Sequence, residues 1–248
     1  PVWPQGILRP PTDSAALPKD LNWDQWLGPA PLTEYNPNMH PFNWRGWWDY
    51  GTGALGDMGC HLIDIPFRAL GLHYPTAVEC SIGSVFTRMW QEEYIPEGCP
   101  PSSSVTIDFD ASEQNNTPVK MVWTDGGIRP SHPDLIPADE DLGEKGGGNG
   151  VMMIGEKGII TTGTYGMNPK LYRKGEETLV YSQPKNLESE FGHPRKWIDA
   201  IKAGFNSKEH KSLTSSFDYS GPLTETVIMG NIAIRSYLLR EGEGRSMT

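Results

Sequence analysis

The chain has 248 residues, 37% of them apolar, which is enough for one large domain with a sizeable core and excludes a disordered polymer as the default. Its 31 Asp and Glu outnumber 21 Lys and Arg, for a formal charge of −10, so it lacks the cationic surplus that a nucleic-acid partner requires. Apolar stretches such as Val151–Ile154 and Val227–Met229 fall far short of the ~20 residues of a membrane span, and Cys60, Cys80 and Cys99 form no C-x-x-C, so neither zinc nor a disulfide framework is expected.

Taken in order, Pro1-Val2-Trp3-Pro4 reads as extended chain with no initiator Met and no signal-like core, the start of a fragment or processed form that leaves the compartment open. Residues 1–50, rich in Pro, Trp and Asn without a lasting period, predict irregular chain laid over a surface, with one short helix at Trp23–Leu27. From Gly56 to Gly71 the pattern is helical, with a kink expected at Pro66. Apolar alternation then marks strands at Val78/Cys80/Ile82, Val105/Ile107/Phe109 and Val119/Met121/Trp123. Gly155-Glu156-Lys157 and Lys174-Gly175-Glu176 each divide a pair of short strands and predict two hairpins. Helices are expected near Phe191–Ala203, stopped by Gly204, and near Leu223–Arg240. Residues 91–104 and 124–150 are long Pro- and Gly-rich segments, read as either unstructured or lids. The fold class is α+β: an open, mostly antiparallel sheet with helices on one face. With few helices to cover the sheet, an apolar face is expected to be buried in a homo-oligomer.

Chemistry concentrates in the run from Trp44 to Asp64. At about 100° per residue, Asp57, His61, Asp64 and Arg68 fall within about 60° of one another on a helix, one stripe of carboxylate, imidazole, carboxylate and guanidinium. An ordinary solvated face laced with charge pairs would look the same. The loop before it, with Trp44, Arg45, Trp47, Trp48 and Tyr50, favours a pocket that stacks on a polar ring such as a sugar. A His one turn from an Asp also suits a general base. His40 could join the stripe in a metal site, but without H-E-x-x-H or paired Cys none is assigned. Gly146–Gly150 invites a phosphate-loop reading that fails, because its flanks are strands and no Ser or Thr follows the Lys. His73, His132, His193 and His210 have no partner visible in the sequence and are read as structural or solvated.

The stretch Gly53-Ala54-Leu55-Gly56-Asp57-Met58-Gly59-Cys60-His61-Leu62-Ile63-Asp64 resembles the helix motif of the Gfo/Idh/MocA oxidoreductases. Trp3-Pro4-Gln5-Gly6, Trp123-Thr124-Asp125-Gly126-Gly127, Gly155-Glu156-Lys157-Gly158 and Leu223-Thr224-Glu225 with Gly230-Asn231 add to the resemblance, which spans almost the whole chain and is closest to a bacterial branch. It implies an open antiparallel C-terminal domain carrying the substrate side of the active site. His61 would be the acid/base at a substrate hydroxyl, Asp57 its partner or a substrate contact, and Asp64 an acidic position of structural or substrate-binding role. The family's dinucleotide-binding G-x-G-x-x-G turn and its Glu-Lys-Pro lysine are both missing here: Glu144-Lys145 and Glu156-Lys157 are each followed by Gly. Residues 1–248 are thus expected to be a single substrate-binding and oligomerisation domain without its Rossmann half, binding no NAD or NADP alone. Its substrate would be a sugar, polyol or derivative. A non-catalytic carbohydrate-binding module, and an NAD-dependent lyase or glycoside hydrolase using transient oxidation, are the alternatives.

Overall fold

A computed structural model describes residues 5–6, 15–39, 41–182 and 192–239. His40, Trp3-Pro4, Phe191 and Arg240, named above, lie outside the described residues.

The N-terminal third is irregular apart from α1 (Trp23–Leu27), capped by the Asn22 side chain accepting from the Gln25 N–H at 3.1 Å. It builds its own small core from Trp23, Leu27, Met39 and Trp47. The helical stretch divides into α2 (Gly53–Leu62) and α3 (Asp64–Ala69). The break falls one turn ahead of Pro66 because the proline ring crowds the carbonyl four residues back and has no N–H for it. Helical backbone continues through Ile63, whose N–H reaches the Gly59 carbonyl at 2.8 Å, so the two helices remain nearly one.

Next come β1 (Ala77–Ile82), the short hairpin β2 (Phe86–Arg88) and β3 (Gln91–Glu92), then β4 (Ser103–Phe109) and β5 (Val119–Thr124). The sheet order is β1-β4-β5, antiparallel throughout. Register aligns Cys80 with Val105 and Trp123, and Val78 with Ile107 and Met121, so the three alternations point to one face. That face meets α2 and the long α6 (Phe217–Leu238), burying Leu55, Leu62, Phe67, Val105, Ile107, Phe109, Trp123, Val227 and Ile234. Each such side chain stabilises the fold by about 1.5–3 kcal/mol. The opposite face carries Glu79, Ser104, Thr106, Asp108, Lys120 and Thr124 with an exposed Val122 among them, so it is mostly polar. Helix α6 starts earlier than the expected Leu223, with Ser216 in extended conformation at its N-terminal boundary and Pro222 inside it.

Helices α2 and α6 pack closely where a glycine of each meets a side chain of the other. A Cβ added at Gly230 would lie 2.6 Å from Leu55 Cδ2, and one at Gly59 would lie 3.1 Å from Val227 Cγ2.

The Trp123-Thr124-Asp125-Gly126-Gly127 motif is a buried latch between β4 and β5. Asp125, 4% exposed, accepts from the Ser103 N–H and Oγ, each at 2.6 Å, and from Trp123 Nε1 at 2.7 Å. Burial pushes its carboxyl above the usual Asp value although the three donors pull the other way.

A second antiparallel sheet follows, β6 (Val151–Gly155), β7 (Gly158–Thr162), β8 (Lys170–Tyr172) and β9 (Leu179–Val180), with both expected hairpins in place. One face packs Ile159 and Tyr172 on Ile136, Leu135 and Leu142, so the long segment 124–150 is the cover of this sheet and neither a decoration nor a free lid. Residues 91–104 likewise contain β3 and the start of β4. The other face shows a row of direct cross-strand partners, Met153, Ile160, Leu171 and Leu179. Helices α4 (Gly192–Ala203), ended by Gly204 at φ +91°, and α5 (Lys208–Lys211) precede α6. The architecture is α+β with antiparallel sheets, as the alternation predicts, but among the described residues the strands fall into three separate sheets, β1-β4-β5, β2-β3 and β6-β7-β8-β9.

Candidate functional site

The polar residues Asp57, His61, Asp64 and Arg68 lie on α2 and α3, and distant parts of the chain reach them. Asp57 uses both oxygens: Gln5 Nε2 donates to Oδ2 at 2.6 Å and Arg45 Nε to Oδ1 at 3.1 Å. Its hydrogen bonds among the described residues therefore run to the N-terminal segment and not to His61 one turn on. Arg45 also donates Nη1 to the Phe42 carbonyl at 3.0 Å and lies over the Phe42 and Trp44 rings, 4.4 and 4.6 Å from their centroids. The Arg45 and Asp57 side chains keep 26% and 30% exposure, so a solute can still reach them. Asp64 accepts from the Tyr219 hydroxyl of α6, and the Arg68 guanidinium sits over that tyrosine ring at 5.8 Å. Burial, then the bond to Asp64, raise the Tyr219 phenol well above its ordinary value, so it stays protonated as the donor. Asp64 thus fastens α3 to α6.

His61 is half-buried, and its ring and that of Tyr165 meet in a T-shaped contact, centroids 5.1 Å apart. Tyr165 belongs to a single 3-10 turn, Thr164–Gly166, between β7 and β8. Cys60 beside it is exposed, but partial burial and the charge of Asp57 raise its thiol, so it is no activated nucleophile.

The loop aromatics divide. Trp47 is buried in the N-terminal core, and Trp44 and Tyr50 pack against it, Tyr50 sharing a 2.6 Å hydroxyl bond with Thr33. Trp48 turns the other way, onto the main core, with the Arg235 guanidinium 5.8 Å from its ring. Of this group, Trp44 and Arg45 come together with Asp57. Sequence reasoning missed Tyr165, Tyr219 and the role of Gln5. Only Gln5 had a signal, in the Trp3-Pro4-Gln5-Gly6 motif. A small cleft lined by Ile82–Val85, Glu92–Ile95, Gly98–Pro101 and Tyr237–Leu238 lies elsewhere and includes none of the predicted site residues.

Among the described residues no cluster of His, Cys, Asp or Glu could hold a metal ion, and no helix is long and apolar enough to cross a membrane. Nor do the described residues form the usual dinucleotide cradle. Every ladder is antiparallel, so the described residues form no βαβ unit. The glycine-rich stretch runs into β6 and not a helix, and its Gly146 N–H already serves the Asp141 carboxylate at 2.8 Å.

Residues 9–83 match an oxidoreductase family, C-terminal alpha/beta domain, of the Gfo/Idh/MocA group. No curated protein matches the chain. Among solved structures it is similar to UDP-N-acetylglucosamine 3-dehydrogenase GnnA from Acidithiobacillus ferrooxidans, at 10% identity and a TM-score of 0.46 over 83% of this chain. The chain spans about half, 52%, of that structure's length. The recognition made from the helix motif is borne out: the stretch holding Asp57, His61 and Asp64 lies within the residues that match that family's C-terminal domain.

Proposed function

We propose that this C-terminal oxidoreductase-family domain is the substrate-binding, proton-handling half of an NAD(P)-dependent enzyme acting on a sugar, polyol or derivative. The placement of His61 carries the reading: a half-buried imidazole within the family-matching stretch, one helical turn from the Asp57 that pairs with Arg45, and with the Tyr165 ring against it. Imidazole exchanges a proton near neutrality, so His61 accepts the proton of the substrate hydroxyl on oxidation and returns it on reduction. Arg45 and Asp57, donor and acceptor side by side, suit neighbouring hydroxyls of a polyhydroxylated ring, with Trp44 as an apolar wall. Trp47 and Tyr50 support that wall from behind, Trp48 ties the loop to the main core, and Asp64 positions the helix through Tyr219. The dinucleotide belongs to residues other than those described, and residues 1–248 act as one substrate domain.

Titration of the chain with myo-inositol and D-glucose, followed by NMR, is expected to move the His61 and Arg45 side-chain signals together, while calorimetry with NAD and NADP shows no heat of binding. Unmoved His61 signals, or tight dinucleotide binding by these 248 residues, would sink the reading.

The same proposal includes self-association. The row Met153, Ile160, Leu171 and Leu179 is an apolar sheet face, with Ile160 and Leu179 exposed, and such a face is stabilised by pairing with a second copy. Sedimentation is expected to show a homo-oligomer that Ile160→Asp dissociates. A wild-type monomer at high concentration contradicts this.

A further inference from the structure

Tyr165 is a tyrosine where the backbone asks for glycine. Its φ is +61°, in the left-handed region, and its side chain is nonetheless 67% exposed. The turn that carries it is fastened on both sides. Glu144 Oε1 accepts from the Thr164 N–H at 3.1 Å, and the Gly163 N–H reaches the Met167 carbonyl at 2.8 Å. The following Gly166 lies against Ile65 of α3. Trp90 has the same φ and greater exposure, but it occupies the turn of the β2–β3 hairpin, whereas Tyr165 is delivered from the second sheet onto the imidazole of His61. A strained aromatic set beside a candidate base, its ring at 72° to the imidazole and largely open to solvent, is an arrangement that core packing does not require.

We propose that Tyr165 is a substrate-facing residue of the His61 site, its ring serving as the stacking platform for the sugar or polyol ring. This rests on the function proposed above. Aromatic faces receive the C–H groups of such rings while hydroxyls point outward to Arg45 and Asp57. The platform comes from a different sheet than the base, so it sets which ring sizes and substituents lie within reach of His61.

The test uses the full 248-residue chain and myo-inositol and D-glucose as probes. Wild type and Tyr165→Phe are expected to bind within about twofold of each other and to shift the probe C–H protons upfield, the signature of an aromatic face. Tyr165→Gly is expected to weaken binding by about 10-fold or more and abolish the upfield shift. Because Gly relieves the left-handed strain, that variant should melt no lower than wild type, so lost binding is not lost folding. Unchanged binding in Tyr165→Gly overturns this inference and leaves the proposed function standing. Loss in Tyr165→Phe equal to that in Tyr165→Gly also overturns it, since the hydroxyl and not the face would then be responsible. Wild type that binds neither probe removes both.

Discussion

Replacing His61 by Ala in the intact enzyme is expected to lower kcat by about 10² to 10⁴, the usual worth of a positioned general base, and to leave dinucleotide affinity unchanged. His61 sits on α2, and the described residues form no βαβ unit to hold a dinucleotide. Asp57→Asn is expected to reduce kcat less, and by another route. Both oxygens of Asp57 face donors, Gln5 Nε2 and Arg45 Nε, so an amide nitrogen placed at either position opposes donor to donor and loosens the Arg45 loop. A rise in KM with a modest fall in kcat is therefore expected for Asp57→Asn, and a fall in kcat at nearly constant KM for His61→Ala. Undiminished kcat in the His61 variant, by steady-state kinetics, would remove the assignment.

The largest effect on stability is expected at Asp125. Asp125→Ala strands the buried Ser103 N–H and Oγ and the Trp123 indole N–H. Unsatisfied buried donors cost about 1–3 kcal/mol each before relaxation, so a net loss of about 3 kcal/mol is expected. For a chain of this size that lowers Tm by roughly 6–12 °C. The pH dependence has a definite sign. Burial raises the folded-state pKa, so between the ordinary Asp value and the raised one the folded state holds more protons than the unfolded chain. The contribution of this carboxyl to stability is therefore complete below the unfolded pKa and declines as pH rises through the folded one. Urea midpoints across that window, for wild type and Asp125→Ala, should differ in slope by this amount; parallel profiles would contradict it.

Strands β1, β4 and β5 were legible because their alternation is regular and their register places all three apolar sets on one face. The stripe from Asp57 to Asp64 was legible because helical spacing alone brings its members together. What those side chains bond to was not. Tyr219 is 155 positions from Asp64, and Tyr165 reaches His61 only because the second sheet is placed against α2 and α3. No periodicity encodes such a meeting. The aromatic loop looked uniform in sequence, yet Trp47 and Trp48 are consecutive residues that serve different cores. Nor could composition tell that segment 124–150 would bury Ile136 under a sheet, since its Gly and Pro content masks the few apolar anchors that hold it.

The helix bearing His61 is moored from both directions along the chain, by Gln5 at Asp57 and by Tyr219 at Asp64, pairs 52 and 155 residues apart. During synthesis at about 5–20 residues per second, the stretch from Asp64 to Tyr219 takes roughly 8–30 s to emerge. Throughout that interval the helix can exist with its first mooring in place and its second missing. The stripe's geometry is therefore set late, after α6 docks through the Gly59 and Gly230 contact, and its assembly is tied to slow, long-range closure and not to the local helix formation that makes it so conspicuous in the sequence.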